Sequence, residues 1–236
     1  MFRNLLLVGL LAGVMAGSLL SVLQYFTVIP LIQQAEVYEH QSVELPTQRD
    51  AHELGASLAE WEPEEGLERL GFTWLANLAI ATGFSMMMAG LMALYPPRGL
   101  AQALVYGLAG FYAFFIAPVL LLPPELPGAD SPHLQTRQAT WLLTVGASLA
   151  GLGLLAFAKA RWLRLLGLLV TTSPFLLFTR FSPHYLASLP EDLIQRFAVM
   201  SGLSNLVLWL VIGMGVYWLP GKLIGAGRHS LSRGFR

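Results

Sequence analysis

The chain has 236 residues, 55% of them hydrophobic and only 12% charged, with 14 Lys and Arg against 14 Asp and Glu and no formal net charge. A charged fraction about half that of an ordinary soluble domain excludes a water-soluble fold of this size, and no nucleic-acid partner is expected. The absence of cysteine excludes disulfides, thiolate metal sites and iron–sulfur clusters.

The first predicted element is a membrane span over residues 4–32, in which Leu5 to Leu23 is interrupted by nothing more polar than Ser18 and Ser21. Apolar sequence runs on to Ile32, well past the core of a cleavable signal, so a retained helix is expected. Gly9, Gly13, Gly17 and Ser21 recur every four residues and give this helix a small-residue face for close backbone approach in lipid. The sequence leaves open whether that face meets another helix of the chain or a second subunit, making a homo- or hetero-oligomer. An acidic loop over 33–68 follows, expected to continue as helix from 33 to 42 and to restart a helix near Glu62-Pro63.

Further spans are expected at 69–94, 100–122, 138–158, 163–180 and 193–219. Asp, Glu, Lys and Arg are absent from Leu70–Pro97, Gly99–Pro124, Gln138–Ala158 and Phe197–Gly221, and each tract exceeds the roughly 18 to 20 apolar residues that cross a hydrocarbon core. The span at 163–180 is weaker: Leu165–Thr179 is bounded by Arg164 and Arg180 and contains Pro174, so it crosses if both arginines snorkel. Pro118 and Pro174 predict kinks within their helices. The fold class is therefore all-α, a single polytopic membrane helix bundle of about six transmembrane helices.

Six spans put both termini and the loops 95–99 and 159–164 on one face, with Arg3, Arg98, Lys159, Arg161, Arg164, Lys222, Arg228, Arg233 and Arg236 and no carboxylate. The other face takes all 14 acidic residues. By the positive-inside rule the protein is a multi-pass protein of the bacterial inner membrane with N- and C-termini cytoplasmic.

No ionisable residue lies within the charge-free tracts, which disfavours a carrier built on a midplane carboxylate. The tracts hold no histidine for a b-type haem. No phosphate-binding loop motif is present, and no catalytic constellation emerges, so the chain is read as no enzyme. Chemistry is left to the outer face, where His40, His52, His133 and His184 share a compartment with every carboxylate. Imidazole with carboxylate suits cobalt, nickel or zinc. In Glu36-Val37-Tyr38-Glu39-His40, Glu36 and His40 lie four apart and project from one side of a helical extension; the competing reading is a solvated acidic face. Met86, Met87, Met88 and Met92 read as packing rather than a copper site. Asn77 reads as an interhelical hydrogen-bonding group, with pore lining as the alternative.

Several motifs carry a resemblance: Pro30-Leu31-Ile32 with Ala35 to Glu39, Leu75-Ala76-Asn77 with Gly83-Phe84, Gly110-Phe111 with Ala117-Pro118, Leu122-Pro123-Pro124-Glu125-Leu126-Pro127-Gly128, and Arg137-Gln138 before Trp141. The chain resembles the CbtA family, membrane proteins assigned to cobalt uptake and associated with cobalamin synthesis genes. The resemblance runs to about residue 220 and departs from the family pattern at Leu121, where a glycine is usual. It implies a small histidine-rich partner, CbtB-like, with a single span. It also draws attention to Glu125, which the sequence offers either as a metal ligand or gate, or as an ion pair with Arg137. The metal candidates are thus Glu36, Glu39, His40, Glu125 and His133. Co²⁺ or Ni²⁺ is expected as transported cargo and no cofactor is expected to be tightly bound. The alternative is a non-transporting structural or assembly subunit of a larger membrane complex.

Overall fold

The computed structural model of the chain describes residues 2–43, 66–130, 133–177, 180, 184–185 and 189–232. The first span is helix α1 (Phe2–Thr27), followed after a break at Val28 by α2 (Ile29–Val43). The break has a plain cause: Pro30 has no N–H to donate back into the helix. The chain bridges the gap through Leu31 N and Ile32 N, which both donate to the Val28 carbonyl at 3.1 Å. The expected single helix over 4–32 is thus two segments, and the expected extension beyond residue 33 exists as α2.

Helix α3 (Leu67–Leu94) starts at Gly66, whose φ of 99° is a conformation glycine adopts without a Cβ penalty. The next span, Leu100–Leu121, is interrupted. It consists of α4 (Leu100–Phe111), a π-helical turn over Tyr112–Ile116 and α5 (Ala117–Leu121). Pro118 explains the interruption. Its ring would collide with a carbonyl in an unbroken α-helix, and the widened turn, in which Ala117 N–H bonds the Tyr112 carbonyl, accommodates it. Helix α6 (Leu134–Phe157), α7 (Arg161–Leu177) and α8 (Glu191–Ser232) complete the bundle.

Among the described residues, five helices are long and apolar enough to cross a membrane: Arg3–Thr27, Leu67–Leu94, Leu100–Leu121, Leu134–Phe157 and Glu191–Pro220. The protein is a multi-pass, all-α membrane bundle. Helix α7, with 17 residues, measures about 25 Å along its axis. It folds back on α6 as a hairpin, and the side chain of Arg164 donates from Nε to the Ala158 carbonyl at the turn (3.0 Å). A short antiparallel bridge, β1 (Ala129–Asp130) with β2 (His184–Tyr185), ties the loop before α6 to the loop after α7. At the opposite end Tyr95 stacks on Phe157 at 4.1 Å between centroids. The two sets of loops therefore gather at opposite ends, as the charge pattern requires.

Helices associate through small residues, because hydrocarbon supplies no hydrophobic drive between them. A Cβ added to Gly9 would meet Met86 at 2.8 Å, one on Gly17 would meet the Asn77 carbonyl at 2.8 Å, and one on Gly13 would run into the Thr82 backbone. The Gly9, Gly13 and Gly17 face is thus filled by α3 of the same chain. Of the two partners the sequence left open for that face, another helix of the chain is the one seen, with the backbones in contact there. Two further seams use the same device. Gly107 and Gly110 of α4 receive Trp209 of α8, while Gly151 and Gly167 bring α6 and α7 together. Trp209 is buried at the centre, with Phe84 and Phe114 at 4.8 and 5.3 Å between centroids.

Candidate functional site on the outer face

The outer end is organised by a second apolar cluster, in which Val28, Leu31 and Ala35 of α1–α2 meet Leu126 of the proline-rich loop and Leu193 and Phe197 of α8. The loop owes its shape to composition. Prolines hold their predecessors extended, and Gly128, with φ of 78°, reverses the chain. Leu126 is driven into the cluster at 2% exposure.

Glu125 sits one residue earlier, with its side chain only 8% exposed, and accepts an ion pair from Arg137 Nη1 at 3.0 Å. The structure therefore contains the ion pair that was one of the two sequence readings of Glu125. Arg137 lies one turn into α6, and its backbone N–H bonds the His133 carbonyl at 3.2 Å. His133 itself is exposed at the start of that helix.

On α2 the candidates divide between two neighbours. Glu36 forms a two-pronged ion pair with Arg69 of α3, Nη1 to Oε2 at 3.2 Å and Nη2 to Oε1. Glu39 instead lies against Gly128, its Cδ at 3.6 Å from where a Cβ on that glycine would stand. Glu39 is thus brought to the loop that carries Glu125, whereas Glu36 is turned towards α3. His40 is helical as expected, one turn beyond Glu36, and its side chain lies outside the described residues, as does His52. Among the described residues no three His, Asp or Glu side chains form a group able to hold a metal ion. The candidates Glu36 and Glu125 therefore do not form a shared ligand set; each carboxylate carries an arginine of its own.

Below this face, inside the bundle, Asn77 is buried and donates from Nδ2 to Ser21 Oγ at 3.0 Å and to Gln24 Oε1 at 2.7 Å. This is the interhelical role expected for Asn77. Trp74 Nε1 donates to Ser18 Oγ at 3.3 Å. Sequence reasoning did not single out the partners, Arg69 and Gln24. Their positions, one turn inside α3 and one turn before the Pro30 kink, were the available signals.

A family model described as probable cobalt transporter subunit (CbtA) matches residues 2–220. The chain belongs to the CbtA family. The match takes in all five spans, α7 and both Arg–Glu pairs that join different elements, and it ends where the apolar part of α8 ends at Pro220. Comparison with curated proteins and with solved structures returned no match. As a CbtA-family chain the protein is a membrane component of a transport system, a class defined by transport rather than by enzymatic chemistry.

Proposed function

We propose that this chain is the membrane subunit of a divalent transition-metal uptake system whose cargo is Co²⁺. It collects the ion on an acidic periplasmic face and has both termini in the cytoplasm. The observation that carries this reading is the family match over residues 2–220. The charge layout agrees with it: 14 carboxylates gathered on one side of a neutral chain raise the local concentration of cations there. Ni²⁺ is accepted by the same ligand types, because imidazole and carboxylate do not discriminate strongly between the two metals.

The charge-free tracts within the spans carry no charged ligand, so passage of the ion requires weak neutral donors or a second subunit. A small histidine-rich membrane partner of the CbtB type meets that need. On the outer face a divalent ion competes with Arg69 for Glu36 and with Arg137 for Glu125. Such competition keeps binding weak enough for release, as transport demands. Glu39, His40 and His133 supply further oxygen and imidazole donors at the same end.

A second reading, a structural or assembly subunit that does not itself handle metal, is favoured by the missing three-ligand group among the described residues. Accumulation of radioactive cobalt in cells tests the first. Replacing Glu36 and His40 together with Gln is expected to cut accumulation several-fold while the amount of protein in the membrane stays constant. Unchanged accumulation in that double variant, in cells where deleting the chain abolishes uptake, returns Glu36 and His40 to a solvated acidic face and leaves Glu125 as the site candidate.

A further inference from the structure

The α1–α3 seam is tight as far as Gly17 and then opens. Beyond it the Pro30 kink swings α2 away from the start of α3, leaving a crevice of about 610 Å³ whose wall includes Gln24, Gln33, Arg69 and Thr73. A second hollow of about 270 Å³ continues it towards the bilayer centre, past Val22, Leu70 and Trp74 to Ser18. The two share Tyr25, Phe26 and Ile29 of α1–α2 and Leu70 and Thr73 of α3. Gln33 and Ser18 are 15 positions apart, so the hollow extends about 20 Å along the helix direction.

Its chemistry is graded. The deep end is apolar and opens to the side, with Phe26 72% and Val22 54% exposed. The outer end is walled by Arg69, which is held in its ion pair with Glu36 of α2 just beyond the wall, and the two side chains keep 34% and 24% exposure. Tyr25 stands between, where an amphipathic aromatic ring sits at the level of lipid headgroups, and Trp74 lies at the deep end beside Ser18. A hydrated metal ion gains nothing from an apolar crevice of this kind. An amphiphile with one negative and one positive group at its polar end matches all three features.

We propose that this crevice is a binding site for one diacyl phospholipid of the outer leaflet with a zwitterionic phosphoethanolamine headgroup. The phosphate lies against Arg69, whose planar guanidinium suits phosphate oxygens. The ammonium lies against Glu36. One acyl chain runs down between α1 and α3 to Trp74. The lipid thereby fills the wedge that the Pro30 kink opens and holds α2 at its angle to α3. This inference is independent of what the protein transports.

The test is native mass spectrometry of the full chain, purified in mild detergent, stripped of lipid and offered phosphatidylethanolamine, phosphatidylglycerol or acyl-free glycerophosphoethanolamine. One phosphatidylethanolamine per chain should be retained, at least tenfold more strongly than phosphatidylglycerol, and the acyl-free headgroup should not be retained. Arg69→Gln should weaken retention at least tenfold. Because that change also removes a tie between α2 and α3, Val22→Trp serves as a second variant that fills the apolar arm with the ion pair untouched, and it should weaken retention by as much. Phosphatidylethanolamine with brominated acyl chains should quench the parent's fluorescence more than that of Trp74→Phe. Retention by both variants as strong as the parent's, or retention of phosphatidylglycerol as strong as phosphatidylethanolamine, overturns the proposal. So does a photo-crosslinker placed at Phe26 in cells that captures a protein helix rather than lipid.

Discussion

The α1–α3 seam and the outer face hold the same helices together by opposite means. In the seam, Gly9, Gly13 and Gly17 remove side chains so that backbones touch Met86, Thr82 and Asn77, and the polar groups present are neutral and bonded to one another. On the outer face, long side chains reach across gaps: Arg69 to Glu36 and Arg137 to Glu125. The difference follows from the surroundings. In hydrocarbon an ion is costly, and close van der Waals packing is the main attraction available, whereas at the interface water and headgroups support charge. The seam is accordingly held by small volume and without charge, while the outer face is held by its charge pairs.

The largest effect should come from volume in the seam. Gly13→Leu forces a branched side chain into the Thr82 backbone, and it is expected to lower stability by about 3 kcal/mol or more. The readout is the thermal melting midpoint in detergent together with yield from membranes. A variant as stable as the parent would show that α1 and α3 do not rely on close approach.

Next comes charge on the outer face. Arg137→Ala leaves the largely buried Glu125 carboxylate without its guanidinium, and a loss of about 2 kcal/mol is expected, below the figure for a fully buried pair because Arg137 is itself 37% exposed. Glu125→Gln should cost less, and the double variant should recover part of the Arg137→Ala loss, since no uncompensated buried charge remains. Additive losses in that cycle would mean that the pair is not what holds the loop.

The smallest effect should come from the neutral polar group within the seam. Asn77→Ala removes one donor from Ser21 and one from Gln24 and should cost about 1 kcal/mol. Faster hydrogen exchange in α1 near Gln24 would report it. A loss as large as that of Gly13→Leu would mean that hydrogen bonding, not packing, dominates the seam.

Much of this architecture is legible in one dimension, and the reasons can be named. Uncharged runs such as Leu70–Pro97 mark spans because a hydrocarbon slab of fixed thickness selects length and apolarity. Four-residue glycine spacing marks a contact face because it follows the helical repeat. The Leu-Pro-Pro-Glu-Leu-Pro-Gly stretch marks an outer turn because its residues restrict the backbone locally. The weaker span at 163–180 is present as α7, shorter than expected and starting at Arg161.

What sequence spacing does not contain is partnership. It placed Glu36 beside His40 on one helix side, and it offered Glu125 both as a ligand and as a salt-bridge partner. Which arginine takes which carboxylate depends on how α2 leaves the Pro30 kink and where the proline-rich loop comes to rest against Ala35 and Leu193. Likewise Pro118 announced a disturbance, but its form, a π-helical turn, was set by the need to keep Phe114 stacked on Trp209 while clearing the proline ring. The sequence by itself determined where the apolar segments and the charges lie along the chain, because those depend on length and composition, although it read about six spans where five described helices are long and apolar enough to cross. Only the tertiary structure decided which faces meet, because contact depends on kink angles and on residues far apart in the chain that share a few ångströms of space.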